Sequence, residues 1–257
     1  MLKKRLIGVV TVKSGLAVQS FGYNNYLPLG RPEILVENLD RWGADEILVQ
    51  CIDRSSLALG PDFELLDRIS RLGLSTPLIY AGGIRNAEDG RAVVKAAADR
   101  VCIDALLHDD LSEVHLLAEK LGSQAIISAL PVTVENNELI WYDYRTKSCK
   151  PLSYQLLDAI KYGVLSEVLI IDWKHEGKPR EFDPKLLAYF PLEGIPLIAF
   201  GGLSEVGQIR SVLESPRSVG VAIGNFLSYK EHAIQNYKLN LKNMSIRSAE
   251  FGTKLLK

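Results

Sequence analysis

Cysteine is scarce. Cys51, Cys102 and Cys149 are spread over 257 residues, with neither the paired spacing of a zinc site nor the density of a disulfide framework. They are expected to be reduced thiols of a cytoplasmic protein, two of them inside apolar, strand-like runs. Long hydrophobic stretches are missing too. The basic start Met1-Leu2-Lys3-Lys4-Arg5 leads into an apolar run of only about six residues, too short for a signal peptide and far short of the roughly 20 needed to cross a bilayer. A net charge of −1 offers no field to steer the chain toward nucleic acid or an acidic membrane, and no local basic patch compensates. No residue pattern calls for a metal or a cofactor. His108, His115 and His232 read as helical or peripheral.

What the chain does contain is a repeat. Thr76-Pro77-Leu78-Ile79-Tyr80-Ala81-Gly82-Gly83-Ile84 returns as Ile195-Pro196-Leu197-Ile198-Ala199-Phe200-Gly201-Gly202-Leu203. The offsets stay nearly constant elsewhere: Gly163 follows Gly43 by 120 positions, Glu167 follows Glu46 by 121, and Gly201 follows Gly82 by 119. Such a period is too long for a solenoid, whose units run roughly 20–50 residues. It fits two fused half-domains, roughly 1–122 and 123–240, followed by a C-terminal tail over 241–257.

Near-continuous apolar runs mark strands covered on both faces: Leu6 to Val10, Glu46 to Cys51, Leu78 to Ala81, Arg100 to Ile103, Ala125 to Leu130, Val168 to Ile171, Pro196 to Phe200 and Val219 to Ile223. Helical periodicity separates them. Eight strands alternating with helices in one domain of about 250 residues predict a (βα)8 barrel, a TIM barrel built from two duplicated half-barrels, with its site at the C-terminal strand ends. A loop from Ser14 to Pro32 is expected to form a lid, and Glu138 to Tyr144 a hairpin outside the barrel. In that hairpin Trp141 and Tyr142 are a candidate partner surface.

A strand ending in Gly-Gly and opening onto a helix can present bare N–H groups to an anion. Gly82 with Gly83 and Gly201 with Gly202 are therefore candidate phosphate-binding residues, with Gly224 and Asn225 at the end of the last strand as further candidates, and two Gly-Gly pairs imply a phosphorylated ligand with two anionic ends. The alternative is that both pairs only make tight turns.

The segments Met1 to Gly8, Val12-Lys13-Ser14-Gly15, Gly43-Ala44-Asp45-Glu46, Ala81-Gly82-Gly83-Ile84, Gly122-Ser123-Gln124-Ala125 and Ile198 to Gly202 together resemble the cyclase subunit of imidazole glycerol phosphate synthase, nearly end to end. The resemblance implies a barrel that receives ammonia from a separate glutaminase subunit and joins it to a bisphosphorylated ribonucleotide. It also implies an entrance ring of alternating charges at Arg5, Glu46, Arg100 and Glu167, and glutaminase docking at Asp99 and Gln124.

The departures are as informative. Where that family has two acid–base aspartates, this chain has Thr11 and Pro131, neither able to exchange a proton near neutral pH. Asp53, Asp172 and His175 are the possible substitutes. Gln19 stands at the family's lid lysine, Asp104-Ala105 at its Asn-Thr pair, and Lys174-His175-Glu176-Gly177 at an acidic loop. The expected function is thus a cyclase-like subunit that kept ammonia conduction; such divergent copies resemble those found beside bacterial surface-polysaccharide genes, and that resemblance implies service to an N-acetyl sugar amidotransferase that makes amidino sugars. A genuine cyclase subunit of histidine biosynthesis and a non-catalytic, glutaminase-activating scaffold are the alternatives.

Overall fold

The computed structural model describes residues 3–248; the end of the expected tail, 249–257, lies outside them. The chain opens with β1 (Arg5–Lys13), β2 (Leu16–Phe21) and β3 (Asn25–Gly30), then α1 (Pro32–Arg41), β4 (Glu46–Cys51), α2 (Phe63–Ser70), β5 (Leu78–Ala81), α3 (Ala87–Ala96) and β6 (Arg100–Ile103). Helices α4 (Ala105–Asp109) and α5 (Leu111–Leu121) lead to β7 (Ile126–Glu135), β8 (Glu138–Asp143) and β9 (Ser148–Pro151). The remainder is α6 (Tyr154–Lys161), β10 (Glu167–Asp172), α7 (Lys185–Ala188), β11 (Leu197–Phe200), α8 (Val206–Glu214), β12 (Ser218–Ile223) and α9 (Ala233–Asn240).

Strands β1, β4, β5, β6, β7, β10, β11 and β12 pair in parallel, and the β7–β10 and β12–β1 ladders close them into a ring. This is a (βα)8 barrel with four strands on either side of Gly122. All six residues of β4 are buried, because one face packs under helices while the other fills the barrel. Two apolar layers result. The interior one contains Ile7, Leu48, Ile79, Cys102, Ile127, Leu169, Ile198 and Ala222; the larger outer one joins the opposite strand faces to the helices. Side-chain caps start several helices: Asn86 accepts from the Asp89 N–H at 2.8 Å, Asp62 from Leu65 and Ser153 from Leu156, satisfying donors the first turn leaves free.

Two expectations need correction. The stretch from Ser14 to Pro32 is not an irregular lid but the antiparallel hairpin β2–β3, turning through Gly22 and Tyr23 at φ 62° and 52°. Nor are Trp141 and Tyr142 an exposed partner surface. Trp141 is 2% exposed and stacks on His108 with centroids 3.5 Å apart, while Tyr142 stacks on Trp173 at 3.8 Å. The hairpin β8–β9 does rise above the barrel as an extension of β7.

Below the strands, Lys238 of α9 donates to Asp45 at 2.7 Å, both side chains 3% exposed, and the other Asp45 oxygen accepts the Leu6 N–H at 2.8 Å. Lys238→Met should therefore lower unfolding free energy by about 3–5 kcal/mol, since it strands a buried carboxylate. Urea denaturation measures this, and a change under 1 kcal/mol would contradict it.

Candidate functional site

Side chains alternate along a strand, so residues two apart on one barrel strand stack in layers along the interior. Arg5, Ile7 and Val9 follow one another up β1; Glu46, Leu48 and Gln50 up β4; Arg100 and Cys102 up β6, with Asp104 next; Glu167, Leu169 and Ile171 up β10. The lowest layer is charged. Arg5 reaches Glu46 at 3.1 Å and Glu167 at 2.6 Å, and Arg100 reaches the same two carboxylates at 3.3 and 2.9 Å. These four expected residues thus form a closed ring, each side chain at most 15% exposed. Burial lifts Glu46 above its ordinary range despite both guanidinium neighbours. Arg100 also donates to the Gln124 carbonyl at 3.1 Å and the Ser166 hydroxyl at 2.8 Å. Asp99 and Gln124 are exposed on this floor, with Asp99 accepting the Leu78 N–H at 2.8 Å.

Above the ring, the eight interior apolar residues, one per strand, surround a void of about 10 Å³, roughly the space of one small molecule. Cys102 lines both this void and a larger cavity above it, of about 440 Å³. Burial pushes the Cys102 thiol up to about 12, so it stays protonated and uncharged. The upper cavity is lined by Lys13, Tyr23, Asp53, Gly82, Gly83 and Asp104 among others, and by no residue beyond Ile171.

Of the expected catalytic substitutes, only Asp53 lines this cavity, its Oδ2 accepting the Ser14 N–H at 2.7 Å. Asp172 and His175 lie apart: Asp172 Oδ2 meets His175 Nδ1 at 2.8 Å and accepts the Asp183 N–H at 2.8 Å. Thr11 is buried and accepts from Gln50 at 2.8 Å, while Pro131 lines the cavity.

The glycine pairs occupy equivalent places in the two halves. A Cβ on Gly82 (φ 126°) would sit 2.3 Å from the Cys51 carbonyl, and one on Gly201 (φ 99°) 2.5 Å from the Asp172 carbonyl. On Gly83 it would meet Gly60 O at 2.5 Å and on Gly202 Phe182 N at 2.6 Å. Packing alone requires glycine at all four positions. Their surroundings differ. The first pair opens on the cavity; over the second half, the β2–β3 hairpin is fastened down. Glu176, buried, accepts from the Ser20 hydroxyl at 2.9 Å and the Tyr23 N–H at 3.2 Å. Asn225 brackets the Ser20 backbone, accepting from its N–H at 3.1 Å and donating to its carbonyl at 2.6 Å. Gln19, in the same hairpin, is buried.

Sequence reasoning singled out Asp104 but missed the aromatic pair behind it. Trp141 donates to Asp104 Oδ1 at 3.1 Å, and His108 Nε2 lies 3.8 Å from the same oxygen. Burial raises Asp104 to about 8 and lowers His108 to about 4. Arg145 ties this wall to Asp109 and Asp143, with contacts of 2.5 and 3.1 Å. The i,i+4 spacing of Asp104 and His108 was the available signal.

A duplicated (βα)8 barrel with a charged ring at its floor and a polar cavity at its C-terminal mouth defines a class of metabolic barrel protein. The family described as "Histidine biosynthesis protein" matches residues 5–233, and the chain belongs to it as a HisF-type member. A Vibrio vulnificus (strain YJ016) protein, provisionally named imidazole glycerol phosphate synthase subunit hisF2, is 30% identical over 251 residues, covering 96% of this chain and 91% of that one. Imidazole glycerol phosphate synthase subunits HisF of Streptococcus gordonii (28% over 245 residues; 93% and 95% covered) and Natranaerobius thermophilus (25% over 251; 96% and 100%) are also similar.

Asp104 has a folded value above its unfolded one, so the folded state holds its proton more tightly. Stability from this group is complete below about pH 4 and is lost as pH rises toward 8. Asp104→Asn, fixed neutral, should match the parent near pH 4 and exceed it by about 2–5 kcal/mol at pH 9. Denaturation at the two pH values checks this; equal differences at both would refute it.

Proposed function

We propose that this chain is the barrel subunit of a glutamine amidotransferase complex, accepting ammonia from a glutaminase partner at its floor and conducting it through the barrel. The observation that carries the reading is the closed ring of Arg5, Glu46, Arg100 and Glu167 beneath an apolar interior. Only neutral ammonia could cross that interior, because an unpaired ammonium ion would lose its hydration there. Asp99 and Gln124, exposed beside the ring, would form part of the docking surface. Thr11 and Pro131 supply no acid–base group, and losing one such group typically costs about 10²–10⁴ in rate. The original ring-forming reaction is therefore lost, and the nitrogen passes to another enzyme, an N-acetyl sugar amidotransferase making amidino sugars of surface polysaccharide.

The names of the relatives favour a second reading, a working cyclase subunit of histidine biosynthesis in which Asp53 acts as a substitute acid. Growth of a histidine auxotroph lacking its cyclase, once given this chain, would establish the second reading and defeat the first. For the conduit, Glu46→Leu or Glu167→Leu should cut glutamine-dependent amidination at least tenfold while leaving glutaminase binding intact. Unchanged amidination in both variants would instead make the barrel a scaffold that only activates the glutaminase.

A further inference from the structure

Three separate segments meet over the second half of the barrel. The β2–β3 hairpin lies on the loop that follows β10, and that loop leans in turn on the β8–β9 extension. Trp173 stacks on Tyr142 with centroids 3.8 Å apart, and Lys174 reaches Glu135 at 3.5 Å. Gly177 lets the hairpin lie flat. At φ 80° it passes so near that a Cβ there would collide with the Ser20 carbonyl oxygen and meet Asn225 Nδ2 at 2.9 Å.

Five hydrogen bonds tie the hairpin to what lies beneath it. Ser20 gives its N–H to Asn225 Oδ1 at 3.1 Å, and its carbonyl accepts from Asn225 Nδ2 at 2.6 Å. Glu176 Oε2 accepts from the Ser20 hydroxyl at 2.9 Å and from the Tyr23 N–H at 3.2 Å; the Glu176 carbonyl accepts the Gly22 N–H at 2.9 Å. Glu176 and Asn225 are 3% and 8% exposed, so water competes little for these bonds. Closure also has costs. Tyr23 adopts φ 52°, a strained conformation for a bulky residue. Its ring packs on the interior apolar layer, and its Oη is buried with no hydrogen-bond partner among the described residues. Lifting the hairpin would relieve one strained residue and one orphaned hydroxyl but would break five buried bonds, so the closed form prevails.

We propose that the β2–β3 hairpin is a fixed roof and not a moving lid, locked by Glu176, Gly177 and Asn225, and that it bars ligands from Gly201 and Gly202. The first half is then the way in and out of the barrel's mouth. A ligand must be compact enough for the cavity of about 440 Å³ there, and a molecule long enough to span both glycine pairs is refused. The inference concerns access alone and stands whether or not nitrogen is conducted from below.

Hydrogen exchange of the full chain, resolved to single amides by NMR, tests this. The Ser20, Gly22 and Tyr23 amides should exchange at least about a thousandfold more slowly than unstructured chain. Gly177→Ala should release the three together, speeding them about 100-fold while the Leu48 and Val49 amides of β4 stay protected. Asn225→Ala, which removes two of the five bonds without adding bulk, should speed the same amides about tenfold or more. Chymotrypsin should cut after Tyr23 or Tyr26 in both variants and spare the parent. Parent hairpin amides that exchange like unstructured chain, or two variants as slow as the parent, would overturn the proposal. So would inorganic sulfate seated beside Gly201 and Gly202 in parent crystals soaked in it. None of these measurements involves a glutaminase, so their failure leaves the conduit reading standing.

Discussion

The six-residue parallel ladder between β10 and β7, Glu167 opposite Ile127 through Asp172 opposite Val132, turns an open sheet into a closed one. Closure removes both edges and fixes which side chains face inward on every strand. Once Glu167 faces inward, Leu169 and Ile171 must do so too, and the same parity holds along β1, β4 and β6. A charged floor, an apolar middle and a polar mouth then follow from one register. A slip of one residue on any of the four strands would place an arginine or glutamate among the outer apolar contacts and open the ring.

The two halves share a backbone plan but have parted in use. Equivalent close approaches, Gly82 to Cys51 and Gly201 to Asp172, preserve the strand-to-helix turn in each half, because a side chain there would collide with backbone. Above those turns the constraint ends. One mouth is walled by Tyr142, Tyr144 and Arg145 and stays open; the other is sealed by Glu176 and Asn225 holding the hairpin. The basic loop after β10 is neutralised locally, with Lys174 near Glu135 at 3.5 Å and Arg180 near Glu205 at 3.0 Å, so its positive charge does not converge on an anion.

The barrel was legible because its signals are local and periodic, whereas the ring was legible only through the family resemblance. Fully buried strands read as apolar runs, and Glu46 and Glu167 stand at matching places in the repeat, so the first half announces the second. The hairpin β2–β3 was not legible. Gly22, Asn24, Asn25 and Pro28 suggest an irregular loop, whereas Gly22 and Tyr23 make a tight positive-φ turn and Pro28 is tolerated on a strand with one neighbour. The pairing of Asp104 with His108 escaped for another reason. Their displaced proton affinities arise from burial, which depends on the fold bringing Trp141, more than 30 residues away in sequence, to stack on His108 and donate to Asp104.

The fastening of the hairpin also bears on how the chain is made. Ser20 finds its partner in Asn225, 205 residues downstream, while the first strand pairs with the last. At a ribosomal pace of ~5–20 residues per second, the leading segment waits roughly ten to forty seconds before its neighbours exist. Throughout that wait the edge of β1 that β12 will cover stands open, and a molecular chaperone or the barrel's own half-formed twin could occupy it first. Newborn copies are therefore most exposed to mispairing just before synthesis ends.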